Sequence, residues 1–318
     1  METRTLGRTN LSVSVLGLGA AEIGFEDIPP ETVDRLVGTA LDNGLNVIDT
    51  AECYRTSEEH LGRALAGRRN ECFLFTKCGH ATGLTGAIPR ALNRFSRKLT
   101  GHNPFGFHDW ERLTLDKSIE RSLRLLRTDY IDVLQLHICP EEILRRGEVI
   151  ESLQRARQAG KTRYIGYSGE GGAALYAVEC GAFDTLQISL NFLDQEAIDK
   201  VIPEAKKRNV GVIAKRPVAN AVWRYRTLPD NSYHHIYWQR LAKMGYDGGC
   251  NGDALFSTAL RFTLTVSGVH TAIVGTSKPA RCEQNADVVA AGPLDAGQFQ
   301  SIRQRWKAVA DPAWVGQE

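Results

Sequence analysis

Several things are missing from this chain of 318 residues, and each absence removes a class of protein. No run approaches the roughly 20 apolar residues that a membrane-spanning helix needs. The opening METRTLGRTNLS has no apolar core of the kind a secretory signal carries. Lys+Arg 39 against Asp+Glu 37 leaves a formal charge of +2, so no basic field points to nucleic acid or an anionic membrane as partner. The seven cysteines (Cys53, Cys72, Cys78, Cys139, Cys180, Cys250, Cys282) are odd in number, scattered and without a C-x-x-C pair. That argues against a disulfide framework and a zinc knuckle, and the expectation is free thiols in a reducing cytoplasm. No metal is expected: His234 and His235 are adjacent and cannot share a helix face, and His102 and His108 lack a Cys or carboxylate at ligand spacing.

The phosphate-binding fingerprints fail too. Gly17-Leu18-Gly19 is followed by Glu22 where the third glycine of G-x-G-x-x-G would stand, putting an acid where a pyrophosphate would sit. Gly169-Glu170-Gly171-Gly172-Ala173-Ala174 fits the looser form ending in Ala, with Asp194 beyond it, but it lies mid-chain, where Gly-rich turns are common. Gly160-Lys161-Thr162 resembles the end of a P-loop, yet Arg155 occupies the position of its first glycine.

What is present is alternation. Short β-branched runs alternate with segments of helical period. Thr3–Ser14, with turn residues Gly7 and Asn10, reads as a small hairpin. Strands are expected at Val15–Leu18, Leu45–Ile48, Cys72–Thr76, Ile131–Leu136, Thr162–Tyr167, Thr185–Ser189, Val210–Ala214 and Thr271–Val274. Helices are expected over 30–43, 57–66, 115–126, 148–159, 173–180, 195–208, 253–265, 279–290 and 297–309. The rhythm breaks twice, over 79–112 and 216–252, which read as long loops. Eight strand-then-helix units without a Pro/Gly/Ser-rich linker favour a closed barrel over an open sheet plus a second domain. The expected fold is therefore α/β, a (β/α)₈ TIM barrel with an N-terminal β-hairpin and long loops after strands three and seven. It is expected to be one domain over residues 1–318.

In such a barrel the catalytic groups sit where the strands end. Those ends carry Asp49, Lys77 and His137, with Tyr54 in the loop just beyond Asp49. Singly each has a plainer reading: a loop anchor, a solvated lysine, a satisfied histidine, a packing tyrosine. Together they stand within longer motifs. Asn46-Val-Ile-Asp49-Thr50-Ala51-Glu-Cys-Tyr54-Arg-Thr-Ser57-Glu58-Glu-His-Leu61-Gly62 is followed by Phe75-Thr76-Lys77 and by Asp129-Tyr-Ile-Asp132-Val-Leu-Gln-Leu-His137. Arg163-Tyr-Ile-Gly166-Tyr-Ser168 and Ile273-Val-Gly275-Thr276-Ser277-Lys278-Pro-Ala-Arg281-Cys-Glu-Gln284-Asn285 complete the series. In this order the segments resemble the aldo-keto reductase superfamily along almost the whole chain.

The resemblance implies reduction of an aldehyde or ketone by hydride from a nicotinamide cofactor, with Tyr54 as general acid. The residue chemistry agrees. A phenol of pKa about 10 is a poor acid near neutrality unless tuned. The Lys77 ammonium is expected to pull that pKa down, with Asp49 holding Lys77 charged and in place. His137 is expected to hydrogen-bond the substrate oxygen and polarise the carbonyl.

The same resemblance places Ser168 and Gln187 on the nicotinamide carboxamide, and Gln284 and Asn285 at the adenine. Lys215, Arg216 and Val218 stand at the end of strand seven, where the family often stacks an aromatic. There Lys215 would cover the ring with its stem and Arg216 would pair with the pyrophosphate. Gly275, Thr276, Ser277, Lys278 and Arg281 run from the last strand into a helix, and such hydroxyls, backbone N–H groups and Arg suit a ribose 2′-phosphate. The expected cofactor is therefore NADPH (NADP+). Gly169 departs from the usual asparagine after the serine, and Arg55 from the usual glycine after the tyrosine. Arg55, Trp110 and Trp223 are expected to line the substrate site, with Phe105, Phe107, Tyr225, Tyr233, Tyr237 and Trp238 in the same loops. These aromatics suit an apolar carbonyl, or merely pin the loops, while Arg55, Arg224 and Arg226 leave room for an anion. An alternative is an NADPH-binding regulatory or scaffold subunit with slow or no turnover; another is redox-neutral isomerisation on bound cofactor.

Overall fold

The computed structural model describes residues 1–79, 110–246 and 252–317. Two short strands, β1 (Thr3–Thr5) and β2 (Ser12–Ser14), form the antiparallel hairpin. Eight parallel strands then close into a barrel in the order β10-β3-β4-β5-β6-β7-β8-β9. They are β3 (Leu16–Gly19), β4 (Val47–Asp49), β5 (Phe73–Cys78), β6 (Ile131–His137), β7 (Thr162–Ser168), β8 (Thr185–Ser189), β9 (Gly211–Lys215) and β10 (Val269–Gly275).

The period of two along each strand sorts side chains between two cores. Ile48, Leu74, Leu134, Leu186, Val212 and Ala272 face outward into the large core beneath the helices. Val47, Phe75, Val133, Ile213 and Ile273 face the axis, where Leu6, Leu11 and Val13 of the hairpin join them and stop the bottom of the barrel. Each such buried side chain contributes about 1.5–3 kcal/mol. The plug seats closely only because two glycines meet beneath it. Gly7 adopts φ +53°, and a Cβ there would lie 2.2 Å from Gly211 N. Asp132, part of a motif that resembles the family, ties this end together. It accepts from Arg69 and Arg163 at 2.8 Å each and from Leu74 N–H at 2.9 Å.

All eight expected barrel strands form, most ending a residue or two later than the apolar pattern suggests. The helices differ more. The expected 195–208 helix is split at Val201 into Glu196–Lys200 and Ile202–Lys207, the second carrying Pro203 in its first turn, which has no N–H to continue the ladder. The irregular stretch after β9 contains the helix His235–Lys243, whose buried face carries Tyr237, Arg240 and Leu241. A polar arginine on that face hides the apolar period. A short helix, Glu141–Arg146, ends at Gly147 with φ 85°. Most of 79–112, including Phe105 and Phe107, lies outside the described residues.

Candidate active site

The alternation that buries Val47, Phe75, Ile213 and Ile273 in the axis also places Asp49, Lys77, Lys215 and Gly275 on the inner face, two residues further along each strand. His137 and Ser168 end β6 and β7 side by side in register. The open end of the barrel is thus ringed by polar groups set on rigid strands above an apolar floor.

Lys77 and Asp49 are the innermost charged pair. The Nζ of Lys77 lies 2.6 Å from Asp49 Oδ2 and donates to the Thr50 carbonyl at 2.8 Å, with the side chains only 2% and 5% exposed. The Tyr54 ring stands over this ammonium, centroid to Nζ 5.3 Å. His137 meets Tyr54 edge-on at 6.2 Å between centroids, and its Nδ1 lies 3.6 Å from Cys53 Sγ. The four expected catalytic residues therefore converge on one place. The Tyr54 loop is held from behind: Ser57 Oγ donates to Ala20 O at 2.8 Å, and Thr76 Oγ1 donates to the buried Glu58 at 2.8 Å.

One expectation is corrected. Burial pushes the Tyr54 phenol well above its usual range, and the Asp49 carboxylate pushes the same way. The larger cause is burial, which disfavours the charged phenolate, and Asp49 adds to it. Tyr54 is accordingly held protonated, the state of an acid.

A second buried lysine–carboxylate pair closes the other side of the mouth. Lys215 Nζ lies 3.1 Å from Glu170 Oε1, and Glu170 also accepts from Ser189 N–H at 3.0 Å. Burial pulls the Lys215 amine below its usual range while Glu170 opposes that pull. Arg216, in the left-handed region at φ 56°, donates to Ser189 Oγ at 2.7 Å, to Tyr233 Oη at 2.8 Å and to the Gln317 carbonyl. Its guanidinium also stands 3.9 Å from Glu170. Residues 315–317 are drawn over this side, with Val315 O accepting from Arg240 at 2.8 Å and Gly316 packed on Glu170.

Two of the buried polar atoms without a partner lie at residues expected to meet a ligand. Ser168 Oγ, at 0% exposure, has no partner, nor has Asn285 Oδ1. Both are positions expected to touch a nicotinamide cofactor, and a carboxamide or an adenine would supply what they lack. Gln187 is buried in the barrel, where it accepts from Gln135 Nε2 at 3.4 Å, a long bond that leaves its amide available. Val218 packs against the outer core. Around the end of β10, Gly275, Lys278, Arg281 and Gln284 are exposed and Thr276 and Ser277 half-buried. Thr276 Oγ1 accepts from Lys278 N–H at 3.1 Å, shaping the turn into the helix Ala280–Ala290.

Of the expected substrate-lining residues, Arg55 is exposed at φ 48° and stacks over Phe25 at 5.4 Å, while Phe25 in turn meets Tyr54 at 5.7 Å. Trp110 packs directly on Gly79, at the end of β5. Trp223 instead lies against the buried Phe192 at 6.1 Å, among core residues. Tyr237 is fully buried and donates to Asp194 at 2.8 Å.

Three residues at the mouth escape motif reading. Glu170 follows a glycine in a turn that looks merely flexible. Cys53 precedes the tyrosine without a partner visible in sequence. Glu22 reads only as the spoiler of a glycine motif, yet its carboxyl packs against Gly275 with one oxygen unpartnered, and burial raises its pKa.

Comparison with known proteins adds to this geometry. The family model described as the aldo/keto reductase family matches residues 15–307. The L-galactose dehydrogenase of Arabidopsis thaliana is 27% identical over 98% of this chain and 95% of its own length. The D-threo-aldose 1-dehydrogenase of a Pseudomonas species is 27% identical over 92% of this chain and 94% of its own. The solved holo form of aldo-keto reductase AKR11C1 from Bacillus halodurans superposes with a TM-score of 0.80 at 26% identity, covering 98% of this chain and 99% of that one. Among the described residues no helix is long and apolar enough to cross a membrane.

Proposed function

The chain belongs to the aldo/keto reductase family of oxidoreductases, and on that footing we propose that it reduces an aldehyde or ketone to an alcohol with NADPH. The observation that carries this reading is the Lys77–Asp49 pair beneath the Tyr54 ring, 5.3 Å from ring centroid to ammonium.

In the proposed reaction Tyr54 Oη gives its proton to the carbonyl oxygen. The Lys77 ammonium, fixed by Asp49 and the Thr50 carbonyl, steadies the phenolate left behind. His137 donates a hydrogen bond to the same oxygen, orienting and polarising the carbonyl. When bound, the cofactor supplies the hydride. Ser168 and Gln187 would hold its carboxamide, Asn285 and Gln284 its adenine, and Thr276, Ser277, Lys278 and Arg281 the 2′-phosphate that distinguishes NADPH from NADH.

The relatives named for aldose dehydrogenation put aldoses beside simple carbonyls among the substrates to try. The exposed ring of Phe25 against Arg55 and Tyr54 offers one apolar wall and one cationic rim to whatever enters.

A fluorescence titration with NADPH, followed by a panel of aldehydes, ketones and aldoses with either cofactor form, tests the proposal. Saturable binding and a change of absorbance at 340 nm with some member of the panel are expected. Binding without turnover on any member would favour a cofactor-binding regulatory subunit. No binding would remove the cofactor reading.

A further inference from the structure

The Glu170–Lys215 pair lies at the mouth but takes no part in the proton transfer above. Lys215 ends β9 on the inner face, beside Ser189 in register, and Ser168 with its unpartnered hydroxyl ends β7 two strands away. Glu170 reaches over the end of the intervening β8, accepting from Ser189 N–H at 3.0 Å and from Lys215 Nζ at 3.1 Å. Lys77 and Lys215 both lie on the inner face near the ends of their strands, β5 and β9. A nicotinamide whose carboxamide rests on Ser168 would have Lys215 as a neighbour two strands along the mouth.

Hydride transfer changes the charge of that ring: the reduced form is neutral and the oxidised form carries +1. An uncompensated ammonium beside it would weaken the oxidised form alone, and a carboxylate would favour it. We propose that Glu170 is a positioning residue that neutralises Lys215 beside the nicotinamide and thereby sets the relative affinity for oxidised and reduced cofactor. The inference rests on the cofactor site proposed above. Arg216, the other cation near Glu170, is turned toward Ser189, Tyr233 and Gln317.

The test is the ratio of dissociation constants, Kd(NADP+)/Kd(NADPH), for wild type, Glu170→Gln, Lys215→Met and the double variant, at pH 6.5, where a buried lysine is most readily kept charged. NADPH is followed by fluorescence and NADP+ by competition against it. A full charge several ångströms from the ring in a partly screened site changes the ratio on the order of tenfold. Glu170→Gln is expected to raise the ratio by about that factor and Lys215→Met to lower it by a similar factor, with the double variant back within about threefold of wild type. Damage to the loop alone would weaken both cofactor forms together and leave the ratio where it was. An unchanged ratio in both single variants overturns the inference while leaving the cofactor site intact. A wild-type protein that binds neither form overturns the site reading itself.

Discussion

The mouth of the barrel holds two lysine–carboxylate pairs on the same layer, and they are built for different work. Lys77–Asp49 is short (2.6 Å), sealed at 2% and 5% exposure, and roofed by the Tyr54 ring. Lys215–Glu170 is longer (3.1 Å), its lysine 14% exposed, and it is cross-linked to Ser189 N–H, Arg216 and residues 315–317. The first leaves Asp49 Oδ1 without a partner and depends on a single cation. The second carboxylate has a backbone donor and a second cation in reserve. Each lysine side also carries an arginine forced into the left-handed region: Arg55 after Tyr54 is exposed, and Arg216 after Lys215 is anchored on three oxygens. Similar charge pairs therefore differ in what happens when one member is lost.

The largest expected effect follows from that difference. Lys77→Met strands the Asp49 carboxylate, which costs about 3–5 kcal/mol of stability, and lowers turnover by at least about a hundredfold. Lys215→Met leaves Glu170 with Ser189 N–H and Arg216 and is expected to cost about 1 kcal/mol. Urea denaturation of the two variants measures both, and equal losses would break the comparison.

Arg281→Ala, outside both pairs, is expected to weaken NADPH about tenfold and NADH hardly at all, since it removes one charge-assisted contact to the 2′-phosphate. Equal weakening of the two in a binding titration would take Arg281 off the phosphate.

The arginines should respond with opposite signs. Arg55→Gly relieves left-handed strain at the loss of one exposed ring contact and is expected to gain roughly 0.5–1 kcal/mol. Arg216→Gly relieves the same strain but gives up its bonds to Ser189, Tyr233 and Gln317, for a net loss of about 1–2 kcal/mol. Paired melting curves decide this.

The titration of Tyr54 sharpens the contrast at the level of rate. Because burial and Asp49 raise its pKa, the proton-donating form persists through and beyond the usual phenol value of about 10. Carbonyl reduction should show no loss from Tyr54 as pH rises toward that value. Alcohol oxidation, which needs the phenolate, should climb with pH over the same range. Profiles of kcat/KM in both directions check the sign; a reduction rate that falls through neutrality without another cause would contradict it.

The two pairs also show what can be read before folding. Asp49, Tyr54, Lys77 and His137 were visible because strand ends carry the chemistry of a barrel and because each lies in a motif with its own spacing. The barrel was visible because period-two runs ended in turns eight times. Glu170 was not, since its partners Ser189, Lys215 and Arg216 come from the ends of β8 and β9, which only the closed barrel brings together. Nor was the raised pKa of Tyr54: the sequence places Lys77 and Asp49 together near the tyrosine but does not show how deeply the fold buries the phenol. The helix His235–Lys243 is hidden in the sequence for a related reason: Arg240, buried to reach Asp194 and Val315 O, breaks the apolar period that would reveal it.

In the proposed mechanism the Lys77–Asp49 side delivers a proton through Tyr54 while cofactor binding is governed elsewhere. This is tested most directly by single-turnover oxidation of enzyme-bound NADPH, with any carbonyl found to react, in wild type and Tyr54→Phe. The account predicts a rate at least about a hundredfold slower in the variant, with the dissociation constant for NADPH within about twofold. An undiminished rate in Tyr54→Phe, with cofactor still bound, would contradict it.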